Sequence, residues 1–82
     1  DIASLLNDIG SIYYKKGDYK KALEYYKKSY EVRKIAYIDN PNHPEIAYSF
    51  NCIGNVYYKK CNYKKALEYL EISYKIRLIV YA

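Results

Sequence analysis

The sequence predicts an all-α fold made of two stacked, antiparallel helix pairs, a right-handed fragment of an α-solenoid. Three observations predict it: a sequence pattern that returns 44 residues later, apolar residues at steps of three and four, and turn-forming residues at matching places in both halves. Apolar residues at those steps indicate amphipathic helices. A repeat of 20–50 residues indicates helical or similar units that bury their apolar faces by stacking on one another.

The internal repeat runs along the chain at a constant offset. Residues 10–16, GSIYYKK, return as residues 54–60, GNVYYKK, and the segment YKKALEY occurs at both 19–25 and 63–69. We predict one domain over residues 1–82, with repeat one at 1–40, a connector at 41–43 and repeat two at 44–82. Because solenoids usually need about three repeats and the sequence begins at Asp1 rather than at a methionine, we expect it to belong to a longer array.

The first helix of each repeat carries an apolar stripe. In repeat one the stripe is Ile2, Leu5, Leu6, Ile9, Ile12 and Tyr13, and in repeat two it is Ile46, Phe50, Ile53, Val56 and Tyr57. A glycine, Gly10 or Gly54, lies in the middle of each helix, where it costs roughly 1 kcal/mol relative to alanine. We therefore expect both glycines to allow close approach of the second helix, at Ala22 and Ala66.

A short turn separates the two helices of each repeat. Gly17 suits the left-handed position that ends a helix, and Asp18 can cap the helix that follows. The matching pair in repeat two is Cys61 and Asn62. A left-handed cysteine costs about 1 kcal/mol more than a glycine, so this turn is predicted to be strained or differently shaped.

The second helix of each repeat has its own stripe, and a proline-containing connector joins the repeats. The stripes are Tyr19, Ala22, Leu23, Tyr26, Tyr30, Arg33 and Tyr37, then Tyr63, Ala66, Leu67, Leu70, Tyr74, Arg77 and Tyr81. Pro44 fits the first position of the next helix, with His43 or Asn42 as its cap. We expect the rings of Tyr13, Tyr26, Tyr30, Tyr57 and Tyr74 to pack between helices, because tyrosine buries its ring and hydrates its hydroxyl.

Seven positions of each repeat resemble the tetratricopeptide repeat. They are Leu6, Ile9, Gly10, Tyr13, Ala22, Tyr26 and Ser29, and again Phe50, Ile53, Gly54, Tyr57, Ala66, Leu70 and Ser73. Serine replaces the second alanine of the family pattern, and Lys34 and Leu78 stand where the family often has proline, so the second helix runs longer. The spacing exceeds the family's ~34 residues and is similar to the longer repeats of kinesin light chains.

The resemblance implies a protein–protein interaction scaffold that binds an extended peptide in a concave groove lined by the first helices. The groove positions that it implies are Asn7, Ser11, Tyr14 and Lys15, then Tyr48, Asn51, Asn55, Tyr58 and Lys59, with Ser4, Asp8 and Cys52 beside them. Asn7 and Asn51 match an asparagine that holds peptide backbone, since an amide both donates and accepts. Such repeats often carry a second asparagine, which is replaced here by Asp8 and Cys52. Each repeat therefore has one of the two backbone-binding asparagines.

Two other functions remain open. The first is self-assembly through the second helix of repeat two, where Lys28 and Lys34 of repeat one are replaced by apolar residues. That surface is predicted to contain Ile72, Ile76, Leu78 and Ile79. The second is RNA or anion binding by the lysine pairs near the turns, at 15/16, 20/21, 59/60 and 64/65. Because the net charge of +5 is spread over both repeats, a solvated rim is favoured and nucleic acid is not.

The sequence offers no catalytic, cofactor or metal pattern, so we predict a protein that is not an enzyme. His43, Cys52 and Cys61 do not have the spacing of a zinc site. Cys52 and Cys61 lie nine residues apart with a predicted helical stretch between them, ~13 Å at 1.5 Å per residue, which is too far for a disulfide. Two free thiols and no membrane-spanning run lead us to expect a cytoplasmic protein.

Overall fold

The computed structural model describes residues 1–81, which form four helices. Their bounds are Ile2–Lys15 (α1), Tyr19–Ala36 (α2), Pro44–Lys59 (α3) and Tyr63–Tyr81 (α4). Each helix packs on the next one in the chain, α1 on α2, α2 on α3 and α3 on α4. The predicted all-α fold, a solenoid fragment of two helical hairpins, is confirmed.

The two mid-helix glycines lie where the helices of a repeat approach most closely. A Cβ atom built on Gly10 would lie 2.8 Å from Cδ1 of Tyr26 and 3.3 Å from the carbonyl oxygen of Ala22. A Cβ atom on Gly54 would lie 2.9 Å from Cγ of Leu70 and 3.3 Å from the carbonyl oxygen of Ala66. Since real Cβ contacts are longer than the shortest of these, the expectation that both are packing glycines is confirmed.

The turns inside the two repeats have the same shape. Gly17 has φ +81° and Cys61 has φ +62°, so both residues adopt the left-handed conformation. The next residue caps the following helix in each case: Asp18 accepts from the amide of Lys21 at 3.2 Å, and Asn62 from that of Lys65 at 3.3 Å. The turn of repeat two is therefore strained at Cys61 rather than differently shaped.

The start of α3 follows the predicted capping. Pro44 is the first helical residue, and Nδ1 of His43 accepts a hydrogen bond from the amide of Glu45 at 3.1 Å. The imidazole also stacks on the ring of Tyr37, with the ring centroids 3.7 Å apart. His43 thus ties the end of α2 to the beginning of α3.

The core lies mainly along α3, because α3 has a helix on either side. Ile2 and Ile12 of α1 are 69% and 59% exposed, whereas Ile46 and Val56, their counterparts in α3, are 5% and 0% exposed. The α1 stripe packs only in part, since no other described helix covers its outer side. The prediction that Tyr74 packs between helices was wrong for the same reason: Tyr74 is exposed on the outer side of α4.

Candidate functional site

The first helices of the two repeats, α1 and α3, lie side by side and form one face. The amide Nδ2 of Asn7 in α1 lies 3.8 Å from the sulfur of Cys52 in α3. These residues are 45 positions apart, almost the repeat spacing of 44, so nearly equivalent positions of the two repeats meet here. We call this surface the α1–α3 face.

Asn7 is the most enclosed of the predicted groove residues. Its side chain is 3% exposed, and its carbonyl oxygen Oδ1 is buried without a hydrogen-bond partner in the described part of the chain. Leaving such an acceptor unpaired costs about 1–3 kcal/mol. The structure therefore places Asn7 beneath the surface, with one unused acceptor.

Cys52 and Tyr48 complete this polar cluster. Burial raises the pKa of the Cys52 thiol, and hydrogen bonds with the side chains of Asn7 and Tyr48 offset part of this rise. The nearby thiol in turn raises the pKa of Tyr48. Both groups are therefore neutral at physiological pH and can exchange hydrogen bonds with Asn7 or with a bound chain.

The other predicted residues of α3 are more open. Asn51 is half-buried, and Tyr48, Asn55, Tyr58 and Lys59 are exposed. Their spacing of three and four residues puts them on one side of α3. Among the described residues neither Asn51 nor Asn55 has a side-chain hydrogen bond, so both amides are available to another molecule.

The predicted residues of α1 are partly occupied by α2. The hydroxyl groups of Ser11 and Tyr26 lie 3.0 Å apart and share a hydrogen bond. Tyr14 is half-buried with its ring edge-on to Tyr19, at 5.7 Å between centroids. Lys15 is exposed at the end of the helix. The face is thus better provided with unused polar groups on α3 than on α1.

A second polar cluster joins the repeats behind this face. Nη1 of Arg33 donates to the hydroxyl of Ser49 at 3.0 Å, and Nε lies 3.4 Å from the Glu45 carboxylate. The hydroxyl of Tyr37 donates to the same carboxylate at 2.6 Å, which raises the pKa of Tyr37.

Sequence reasoning placed Arg33 and Tyr37 on a stripe but did not predict this cluster. The arginine that recurs at 33 and 77 on an otherwise apolar stripe was the available signal.

The predicted self-association residues divide into two groups. Ile72, Leu78 and Ile79 are exposed on α4. Ile76 is 7% exposed and packs with Ile46 and Ala47 in the core. The expectation that Ile76 belongs to an open surface is therefore corrected, because its side of α4 faces α3.

The side chains on the α1–α3 face are mainly amides, hydroxyls and aromatic rings. Residues 1–81 contain no group of three histidine, cysteine or acidic side chains that could hold a metal ion. None of the four helices described has the length and apolar character to cross a membrane.

Comparison with protein families agrees with this architecture. The sequence matches the family model described as Tetratricopeptide repeat over residues 1–78. The chain belongs to the tetratricopeptide repeat family. Tetratricopeptide repeats are a non-catalytic repeat type that generally mediates protein–protein interactions. A search of curated proteins found no matching sequence.

Proposed function

We propose that this tetratricopeptide repeat chain binds an extended segment of a partner protein across the α1–α3 face. The observation that carries the proposal is the contact between Asn7 and Cys52, which joins the first helices into one surface. An extended segment that crosses this surface meets side chains of both repeats. Neither repeat alone provides such a surface.

Asn51 and Asn55 are the side chains best suited to hold the partner. An amide offers a donor and an acceptor, so it can pair with the backbone of an extended segment whatever its sequence. The exposed rings of Tyr48 and Tyr58, on the same side of α3, add apolar area with a hydroxyl at the tip. Asn7 contributes if its amide turns outward, since its carbonyl oxygen is unpaired where it lies.

The test uses peptides selected from a random dodecapeptide library and titrated by calorimetry. Asn51→Ala is expected to weaken binding by about 1–2 kcal/mol with little change in melting temperature. Asn40→Ala, an exposed asparagine of the connector region, is the matched control and should bind like the unsubstituted chain. Equal affinities for the Asn51 variant and the control would show that the Asn51 amide does not contribute to peptide binding.

A second candidate function is self-association through α4, which one observation favours. Ile72, Leu78 and Ile79 leave apolar area exposed, and α1 exposes the stripe that α3 buries against α2. A head-to-tail pair would place α4 of one copy against α1 of the next and repeat the α2–α3 packing. Burying a few hundred Å² of apolar surface at ~25 cal/mol per Å² gives several kcal/mol before the costs of association.

Sedimentation over a concentration series tests this candidate. The chain is expected to associate at millimolar or lower concentration, and Ile72→Lys with Leu78→Lys should abolish association. Ile35→Lys, at an exposed position of α2, is the control and should leave it intact. A chain that stays monomeric at its highest concentration contradicts the candidate.

We also propose a cytoplasmic location. Cys52 and Cys61 are both free thiols, one buried and one exposed. Unpaired cysteines are typical of proteins in a reducing compartment. Fractionation of cells that express the protein would test this, and recovery in a secreted or lumenal fraction would contradict it.

A further inference from the structure

The fold brings the two intra-repeat turns to the same end of the molecule. Within repeat one the helices are antiparallel, because Ala3 contacts Ser29 near one end and Tyr14 contacts Tyr19 near the other. The α2 and α3 helices are also antiparallel, because Arg33 contacts Ser49 and, one turn later, Tyr37 contacts Glu45, so α1 and α3 run in the same direction. From the contact between Asn7 and Cys52, α1 continues for eight residues to Lys15 and α3 for seven to Lys59, about 11–12 Å in each case.

This arrangement concentrates charge that is dispersed in the sequence. Residues 15–21 and 59–65 together carry eight lysines and one acidic residue, Asp18, which gives a charge of +7. The net charge of the chain is +5, so all other residues together carry −2. We call the lysine-bearing end the basic edge; its lysines are Lys15, Lys16, Lys20, Lys21, Lys59, Lys60, Lys64 and Lys65.

The lysines of the basic edge have no acidic partner in the described part of the chain. The two ion pairs there join Arg33 to Glu45 and Lys34 to Glu31. Asp18 is occupied by capping α2. Charges of one sign that lie within about 8 Å of one another reinforce each other at physiological ionic strength. Glu24 and Glu68 lie one helical turn beyond Lys20 and Lys64 and lower the charge of this end from +7 to +5, so the basic edge presents a net positive field to the solvent.

Tyrosine rings position some of the lysine side chains of the basic edge. The ammonium groups of Lys16 and Lys21 lie 5.7 and 5.4 Å from the ring centroid of Tyr13. In repeat two, Lys65 lies 5.4 Å from the ring of Tyr57. Such contacts favour an ordered position of a lysine side chain near the surface. The contact of Lys21 with Tyr13 thus recurs as that of Lys65 with Tyr57.

We propose that the basic edge binds an acidic segment of a partner protein. The edge contains lysine but no arginine, and arginine is the residue best suited to phosphate and nucleic-acid recognition. Tetratricopeptide repeats also generally bind proteins, so carboxylates of a protein segment are the anions that fit.

The spacing of the two turns indicates what kind of segment fits. Packed helices lie about 8–10 Å apart, and an extended chain advances about 3.3 Å per residue. Because α1 and α3 are not a closely packed pair, a segment that lies along the edge needs at least about three residues to pass from one lysine group to the next. Acidic residues spaced by three, or a continuous acidic run, would meet both groups.

The experiment compares two variants that lose the same charge at different places. The edge variant carries Lys16→Gln, Lys20→Gln, Lys60→Gln and Lys64→Gln. The control variant carries Lys27→Gln, Lys28→Gln, Lys34→Gln and Lys75→Gln, all exposed positions outside the basic edge. Lys15 and Lys59, which belong to the proposed α1–α3 face, are kept, so loss of binding cannot arise from that site.

The probes are a fluorescent dodecamer of glutamate and a single-stranded RNA dodecamer of mixed sequence, followed by anisotropy at two salt concentrations. The edge variant is expected to bind the glutamate dodecamer at least tenfold more weakly, and the control variant less than threefold. The salt dependence should fall only for the edge variant. If the edge variant does not fold, the pairs Lys16/Lys20 and Lys60/Lys64 are substituted separately, each with a partial loss expected.

Three outcomes would overturn the proposal. One is no binding of the glutamate dodecamer even at low salt. Another is an equal loss for the edge and control variants, which would assign the effect to net charge. The third is RNA that binds tenfold or more tightly than the glutamate dodecamer, which would make the edge a nucleic-acid surface.

Discussion

The guanidinium of Arg33 lies 3.4 Å from the carboxylate of Glu45, across the boundary between the two repeats. Arg33 is buried, whereas Glu45 is more than one third exposed. The geometry is that of an ion pair without a hydrogen bond, because Nε of Arg33 has no hydrogen-bond partner among the described residues. The pair therefore stabilises mainly by compensating a buried positive charge.

Glu45→Gln is expected to destabilise the fold by about 1–2 kcal/mol, since it leaves the buried guanidinium without a counter-charge. The full cost of breaking a buried pair, about 3–5 kcal/mol, is reduced because solvent screens Glu45. Urea denaturation would measure the loss. Glu31→Gln breaks only the exposed pair with Lys34, 3.2 Å long, and should change stability by less than about 0.5 kcal/mol. Equal effects of the two substitutions would mean that burial of Arg33 needs no counter-charge.

Gly10→Ala is expected to cost more stability than Gly54→Ala, although alanine favours helices. The new methyl group at position 10 would meet the ring of Tyr26, which is buried and bonded to Ser11. At position 54 it would meet Leu70, which is less buried and can change rotamer. Overpacking costs about 1–3 kcal/mol, against a gain of roughly 1 kcal/mol in helix propensity.

Thermal melts of both glycine variants would check this order, with Glu68→Ala as an exposed helical control expected to lie within about 0.5 kcal/mol of the parent. A gain in stability at position 10 would show that the two helices can separate at little cost.

Cys61→Gly is expected to stabilise the chain by about 1 kcal/mol. Cys61 adopts φ +62°, where a side chain is disfavoured and glycine is not. The reciprocal change, Gly17→Ala at φ +81°, should destabilise by a similar amount. A Cβ atom on Gly17 would meet nothing within 4 Å, so the loss would be conformational rather than steric. Chemical denaturation of both variants measures the effect, and two changes of the same sign would refute it.

Local signals in the sequence were sufficient to predict the helices and the residues at which they begin and end. Gly17, Asp18, His43 and Pro44 act through neighbours a few residues away, and each occupies the predicted position. These signals act through backbone conformation and through hydrogen bonds between residues close in sequence. They can therefore be read without knowing the rest of the fold.

Burial was less predictable, because it depends on which helix lies alongside. Ile12 and Val56 occupy equivalent positions in similar stripes, yet only Val56 is fully buried, because α3 packs between α2 and α4 whereas α1 packs on α2 alone among the described helices. For Asn7, the sequence indicated a groove position but not its contact with Cys52, 45 residues away. A contact at that distance reflects the way the repeats stack, and a helical period within one repeat carries no information about it.

Cys61 is expected to react with iodoacetamide much faster than Cys52 at neutral pH. Cys61 is exposed, whereas Cys52 is buried, and its burial raises the pKa of the thiol, so less of the reactive thiolate forms. Mass spectrometry of the unsubstituted chain should show one fast and one slow alkylation, and Cys61→Ser should leave only the slow one. In concentrated urea both thiols should react at similar rates, because unfolding removes the difference in burial. Fast alkylation of Cys52 in the folded Cys61→Ser variant would mean that the contact between Asn7 and Cys52 opens readily, and the α1–α3 face would then lack the fixed geometry on which the proposed binding surface depends.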